Sequence, residues 1–366
     1  MINLQFFPSR RIALYMARLF VSRSLAVLVA LVGILMMLDL LGNSGDILAH
    51  PGNGDAELWR YVGLRIPQLV ARFLPFAVLL GTLITLAGLN QHSEVISMKA
   101  AGISAHQIIA PLILAAALVA GAHFVFNERV VTRANAALAA WDAVDYGPIP
   151  EGTDIRNNIA IVHGDDLIFV RRVSGRGDDV RLAGVGIYDR SGGTLQRILT
   201  AERGRYAPGR GWDFEAATLF DVDSGRLQRM GRVTLGRDIR PDEFTLAQVD
   251  PDEQNFWRLR ETIADLKSAD RATATLESNL WHKLAGPLST MLMPLLAATA
   301  AFGLARSGQL MLRAVIGMAL GFAYFVADNF ALAMGNLGAY PPFLAAWGPF
   351  LLFLLVGEAV LIRTEE

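Results

Sequence analysis

The 366-residue chain contains no cysteine. Disulfides, thiolate-bound zinc and thiol nucleophiles are excluded together, while the redox compartment stays open. Charge is scarce as well. Asp, Glu, Lys and Arg make up 18% of the residues and 53% are hydrophobic, against about 25% charge in an ordinary soluble domain. The formal net charge of -1 supplies no field for a general nucleic-acid binder, so no nucleic acid is expected as a partner. There is no G-x-x-x-x-G-K-[ST] phosphate loop, no H-E-x-x-H and no G-x-S-x-G, so the chain has no nucleotide site of the P-loop kind and no recognisable hydrolytic motif. The histidines, His50, His92, His106, His123, His163 and His282, are dispersed, whereas a metal site needs convergent ligands. Asp165–Asp166 and Asp178–Asp179 stand in turn-like contexts and read as solvated turn residues. The expectation is a protein without cofactor, metal or catalytic residues of its own.

What the chain does have is long apolar runs. Residues 73–93 and 100–127 carry no Asp, Glu, Lys or Arg. About 20 apolar residues span a bilayer, and six stretches qualify: 21–41, 62–89, 106–126, 284–304, 311–334 and 344–361. Arg10, Arg11, Arg18 and Arg23 precede the first run, as in a signal peptide, but DLLGNSGDI after it offers no small-x-small cleavage site, so an uncleaved first span is expected. Phe6, Phe7, Ile12, Leu14 and Tyr15, mixed with those arginines, suit an interfacial lead-in helix; a solvated basic tail is the alternative. Short cytoplasmic loops are enriched in Lys and Arg. The four N-terminal arginines, Lys99, Arg306, Arg313 and Arg363 fall on one side, and Asp39, Asp46, Asp55 and Glu57 on the other. This places both termini and the gap at 93–104 in the cytoplasm.

Between the third and fourth spans the composition changes. IAIVHG, LIFVRRV, LAGVGIYD, TLQRILTA and ATLFDV are short β-like runs separated by GDD, SGRGDD, RSGG, APGRG and DSG. Strands at such spacing predict an all-β sandwich or barrel. RLRETIADLKSADRATATLESNLWHKL then reads as helical and leads into the fourth span. The expected fold is a polytopic α-helical membrane protein of six transmembrane helices with an inserted all-β domain. Its divisions are 1–127 (spans one to three), 128–256 (the β-domain, outside) and 257–366 (connecting helix and spans four to six).

The gap SEVISMKAAGIS at 93–104 is more than a turn needs. With Ser93 as N-cap and Gly102 just past the end, residues 94–101 predict a two-turn helix about 12 Å long. Glu94 then lies at the favoured end of the helix dipole for an anion and Lys99 at that for a cation. Glu94 and Met98 share a face, so Glu94, Val95 and Met98 are candidates for contact with a soluble partner. This is the logic of a coupling helix, by which a separate ATPase moves a permease. The alternative is an interfacial helix that only caps a turn.

Three stretches carry a family resemblance: LPFAVLLGTLITLAGLNQHSEVISMKAAGIS at 74–104, NLWHKLAGPLSTMLMPLLA at 279–297 and GFAYFVADNFALAMGNLGAYPPFLAAWGPF at 321–350. With the six-span plan, they make the chain resemble the LptF/LptG (YjgP/YjgQ) lipopolysaccharide export permeases over nearly its whole length. The PP…AAW-x-P ending leans toward the LptG half. The resemblance implies a bacterial inner-membrane subunit whose periplasmic β-domain is jellyroll-like. It implies pairing with an LptF-like half-permease above an LptB-like ATPase dimer. It further implies lateral entry of lipopolysaccharide and its transfer to LptC-like and LptA-like periplasmic proteins. Other ABC permeases that work mechanically on envelope proteins, and a non-transporting membrane scaffold, are the alternatives.

Charges near the membrane suggest where such a lipid is held. Arg65 and Arg72 lie on one face of the second span, and arginine suits phosphate. With Arg133 they are the candidate lipopolysaccharide-binding residues; snorkelling to lipid phosphates, or pairing with Asp39, Asp55 or Glu57, is the alternative reading. Some relatives carry basic residues late in the first span, where this chain has Met36, Met37 and Asp39. Asp328 and Asn329 interrupt the fifth span. An ionised Asp at a helix centre costs roughly 2.5–3.5 kcal/mol on insertion scales, so a partner for Asp328 is expected, with an inter-helix role ahead of a substrate role.

Overall fold

The computed structural model describes residues 8–148, 155–175, 177–190, 194–236, 238–245, 250–268, 271–303 and 310–363. They divide into two compact units. One comprises Met1–Ser44, Asp55–Ala136 and Pro251–Glu366, the other Gly45–Gly54 and Ala137–Asp250.

The first unit is helical. In chain order come α1 (Arg10–Ala49), α2 (Asp55–Gln91), α3 (Glu94–Ala100) and α4 (Ala105–Phe126). A π turn (Asn127–Val131) joins α4 to α5 (Thr132–Asp142) without a break. Among the described residues, six helical stretches are long and apolar enough to cross a membrane. Helices begin and end beyond the apolar windows because hydrogen bonding continues through the interface, where long polar side chains are good helix formers. Thus α1 starts at Arg10 and runs for 40 residues. The lead-in expected at Ile12, Leu14 and Tyr15 is its first turns, not a separate helix; Phe6 and Phe7 lie outside the described residues, as does Arg306.

The second unit is a sheet. Strands β1 (Ile155–His163), β2 (Asp166–Ser174), β3 (Arg181–Asp189), β4 (Arg197–Ala207), β5 (Gly211–Asp221) and β6 (Arg226–Leu235) pair antiparallel in chain order. The described strands form one meander rather than two facing sheets. Its buried core gathers Ile168, Val170, Val185, Leu199 and Phe214. Trp212 is fully buried, donates its indole N–H to the Ile239 carbonyl at 2.9 Å and meets Phe244 edge-on. Phe244 belongs to the short α6 (Pro241–Thr245). At the β5–β6 turn, the Ser224 hydroxyl and amide bond the Asp221 carboxylate and hold its pKa below the ordinary value.

The chain then returns through α7 (Phe256–Ser268) to α8 (Ala274–Gly303), α9 (Leu310–Asn336) and α10 (Pro342–Arg363). α8 is the most buried span and packs against α2, α4, α9 and α10. Its inner surface is largely small and aliphatic: Leu292, Leu295, Leu296, Ala297 and Ala298 are buried. Small residues let membrane helices approach closely. A Cβ at Gly321 of α9 would overlap the Leu79 side chain of α2. A Cβ at Gly81 of α2 would lie 2.6 Å from Ser24 Cα, so α1 and α2 touch there backbone to backbone.

Candidate functional site

Two places in the helical unit carry the residues singled out above. The first is α3. Its C-terminus is a Schellman motif: Gly102, at φ +84°, lets the Ile103 N–H reach Met98 O at 3.1 Å and the Gly102 N–H reach Lys99 O at 2.9 Å. Ser104 then opens α4 with a capping box, exchanging bonds with Gln107. The expected cap at the start of α3 is not made by a side chain. Ser93 has φ +59° and no side-chain cap bond, because it lacks the extended backbone from which an N-cap side chain reaches into the first turn.

The faces of α3 also differ from the expected arrangement. Val95 is 4% exposed and joins the core, with Met98 packed beside it. Glu94 accepts a hydrogen bond from the Tyr15 hydroxyl of α1 at 3.2 Å. Ile96, 65% exposed, Ser97, Lys99 and Ala100 form the outer face. Val95 therefore anchors the helix, and its exposed surface is centred on Ile96 and Lys99. Nearby, His106 of α4 and Glu358 of α10 approach to 3.5 Å.

The second place is a cavity of about 350 Å³ between α2, α4, α8 and α9. Arg72 and Gln68 line it from α2, His123 from α4, Asn127 from the π turn and Asn135 from α5. Asn279, His282, Lys283 and Ser289 come from α8, and Tyr324, Asp328 and Asn329 from α9. Its apolar wall includes Leu79, Met293 and the edge-to-face pair Phe76–Phe325. His282 Nε2 lies 3.0 Å from Asp328 Oδ2, tying α8 to α9. Lys283 Nζ lies 3.9 Å from Glu128 Oε1 of the π turn. Among the described residues, two lining atoms, His123 Nδ1 and Asn135 Oδ1, are buried without a hydrogen-bond partner. Such a set suits a polar or charged guest, since buried polar groups need partners.

The sequence candidates separate in space. Arg72 and Asp328 line the cavity together, as does Asn329, whose amide also bonds the Phe325 carbonyl at 2.8 Å. Arg65 instead pairs with Asp39 of α1, at 2.8 Å through Nη2 and 3.2 Å through Nε, and bonds Gln68. Tyr61 donates to the same carboxylate at 2.7 Å. Arg133 is exposed on α5 and does not line the cavity. Asp328 has the inter-helix partner that its burial demanded. Sequence reasoning missed His282, Lys283, Glu128 and His123. The signal for the first two was the H-K pair in NLWHKLAGP, which fell just outside the expected start of span four at 284, whereas α8 begins at Ala274.

The β unit has its own hollow, about 1160 Å³, lined among others by Phe169, Arg171, Tyr188, Thr200, Ala217 and Arg229. No group of three or more His, Cys, Asp or Glu that could hold a metal occurs among the described residues.

Comparison with known proteins adds the following. The family model "Lipopolysaccharide export system permease LptF/LptG" matches residues 14–363. The chain is 27% identical over 351 residues to the lipopolysaccharide export system permease protein LptG of Escherichia coli K12, covering 93% of this chain and 94% of that one. It is 26% identical over 366 residues to LptG of Haemophilus influenzae, covering 96% and 98%.

Proposed function

The chain belongs to the LptF/LptG lipopolysaccharide export permease family, and from that premise we propose that it is the LptG-type half of an ABC exporter in the bacterial inner membrane. In this reading it pairs with an LptF-like half-permease and an LptB-like ATPase dimer, extracts lipopolysaccharide from the membrane, and passes it to LptC-like and LptA-like proteins. Both termini are cytoplasmic and the β-domain within 128–256 is periplasmic, its flanks 128–136 and 251–256 belonging to the helical unit, with membrane parts at 1–127 and 257–366. The observation that carries the reading is the match along nearly the whole chain, 14–363, on a protein with six span-length helices.

The coupling role falls to α3. Val95 seats it on the core, Glu94 ties it to α1, and Gly102 sets its end. Ile96, Lys99 and the flank of Met98 meet the ATPase. The lipid's phosphate-bearing headgroup is assigned to the α2–α4–α8–α9 cavity, with Arg72 of α2 as its charge and Asp328 and Asn329 lining it from α9. Arg65 contributes through its hold on Asp39, and Arg133 at the periphery.

Gentle-detergent purification of the tagged chain from native membranes, with mass spectrometry of bound protein and lipid, tests this. A soluble ATPase, a homologous six-span chain and lipopolysaccharide are expected together. An ATPase without the lipid favours a permease working mechanically on envelope proteins. Neither, from a preparation that retains known complexes, defeats the export reading.

A further inference from the structure

Glu128 sits on the π turn between α4 and α5. Such turns are rare, and they occur frequently at functional sites. Its Oε2 accepts the backbone N–H of Phe256 at 2.5 Å, across 128 residues of chain. Phe256 is the first residue of the 13-residue α7. The bond satisfies one of the donors that a helix start leaves open, and the carboxylate meets the positive end of the helix dipole. α7 already has a local cap, since Asn255 Oδ1 accepts from the Arg258 N–H at 2.9 Å. Glu128 is therefore a second cap, supplied from the span bundle. The same return segment is held to α5 by Asn135 Nδ2, 3.4 Å from the Asp252 carbonyl.

The other oxygen of Glu128 is differently placed. Among the described residues, Oε1 is buried without a hydrogen-bond partner. Lys283 Nζ of α8 stands 3.9 Å away, with the Lys283 and Glu128 side chains 7% and 12% exposed. That separation is outside hydrogen-bond reach, and a buried carboxylate oxygen without a donor is costly. An approach of about 1 Å would bring the pair to charge-assisted bonding distance. Three elements thus meet at one carboxylate, with one contact closed and one held open.

We propose that Glu128 is a positioning residue: it pins the start of α7 to the bundle, and a shift of α8 that closes the Lys283 contact is passed through it to the return segment of the chain. The transmission step rests on the export reading above; the pin does not.

Hydrogen exchange of the full chain in nanodiscs, followed by mass spectrometry over residues 251–260, reads the pin directly. Export of lipopolysaccharide per ATP hydrolysed, by the reconstituted complex, reads the transmission. Glu128→Ala removes both acceptor and charge, and exchange at the start of α7 is expected to quicken about tenfold. Glu128→Gln keeps an acceptor for Phe256 and loses the charge. It is expected to leave exchange within about twofold of wild type and yet lower export per ATP at least about fivefold. A merely structural contact would not separate those two readouts. Unchanged exchange in Glu128→Ala overturns the pin. Full export per ATP in Glu128→Gln overturns the transmission, and that arm stands alone if Glu128→Ala does not fold. A wild-type complex that hydrolyses ATP and moves no lipid overturns the export reading and the transmission with it, while the exchange result still decides the pin.

Discussion

Removing the carboxylate of Asp39 separates two roles for Arg65, holding α1 to α2 or holding a ligand. Asp39 receives Arg65 through Nη2 at 2.8 Å and Nε at 3.2 Å, and the Tyr61 hydroxyl at 2.7 Å. Hydrogen bonds to charged groups contribute about 1.5–3 kcal/mol each. The Arg65 and Asp39 side chains are 29% and 17% exposed, so screening moves the pair toward the low end. Asp39→Ala is then expected to cost about 2–3 kcal/mol, and Asp39→Asn, which keeps an acceptor for Tyr61, about half of that. At about 2–4 °C per kcal/mol for a fold of this size, Asp39→Ala lowers Tm by roughly 5–10 °C. Thermal unfolding in nanodiscs, followed by tryptophan fluorescence, measures it. The double variant with Arg65→Ala closes a mutant cycle, with an expected coupling of about 1–2 kcal/mol. A coupling under about 0.5 kcal/mol would refute the argument, most sharply if Arg65→Ala alone abolished lipid crosslinking.

Other perturbations have equally definite outcomes. Gly81→Ala places a methyl 2.6 Å from Ser24 Cα, backbone that cannot rotate away; overpacking of about 1–3 kcal/mol is expected, read as a lower Tm and weaker crosslinking of cysteines placed in α1 and α2. Lys99→Glu on the outer face of α3 is expected to lower lipopolysaccharide export per ATP several-fold with Tm unchanged; an unaltered ratio removes α3 from the coupling path. Arg72→Gln should weaken lipopolysaccharide photocrosslinking to the cavity while leaving Tm within about 2 °C, whereas a large fall in Tm would make Arg72 structural. The Asp221 carboxyl stays ionised to lower pH than an ordinary aspartate because Ser224 bonds its charged form. Its contribution is present above the unfolded value and lost as pH falls through the folded one. Ser224→Ala is expected to raise its titration midpoint by NMR, and an unmoved midpoint contradicts the assignment.

The six spans were legible because the bilayer demands long apolar stretches, and those at 73–93 and 100–127 leave no other reading. The strands were legible as alternating runs between turns, apart from β6. RLQRMGRVTL alternates weakly and lies almost wholly exposed, so it carries no buried face to betray it. The π turn had no local signature, and NERVVTR fell beyond the expected end of span three at 126. The cavity was the hardest part. Asp328 announced itself as a charge inside an apolar run. Its partner His282 sat at the edge of a hydropathy window, where a titratable residue looks solvated. The Phe256–Glu128 bond joins residues 128 apart through a backbone donor, and no side-chain pattern records a backbone donor.

α4 and α8 lie side by side in the bundle, and their contact brings Ile108, Ile109 and Leu112 into one core with Leu292, Leu295 and Leu296. In the chain, the whole meander stands between them. Synthesis runs from the N-terminus, so the first three spans wait in the membrane with that surface uncovered until every strand has been made. The strands meanwhile pair only with their chain neighbours, the local kind of contact that forms fast. The order of the chain thus lets the sheet fold before α8, α9 and α10 complete the bundle. His123 of α4, buried in the finished protein beside His282 and Lys283 of α8, gains those neighbours only after the whole sheet has been made.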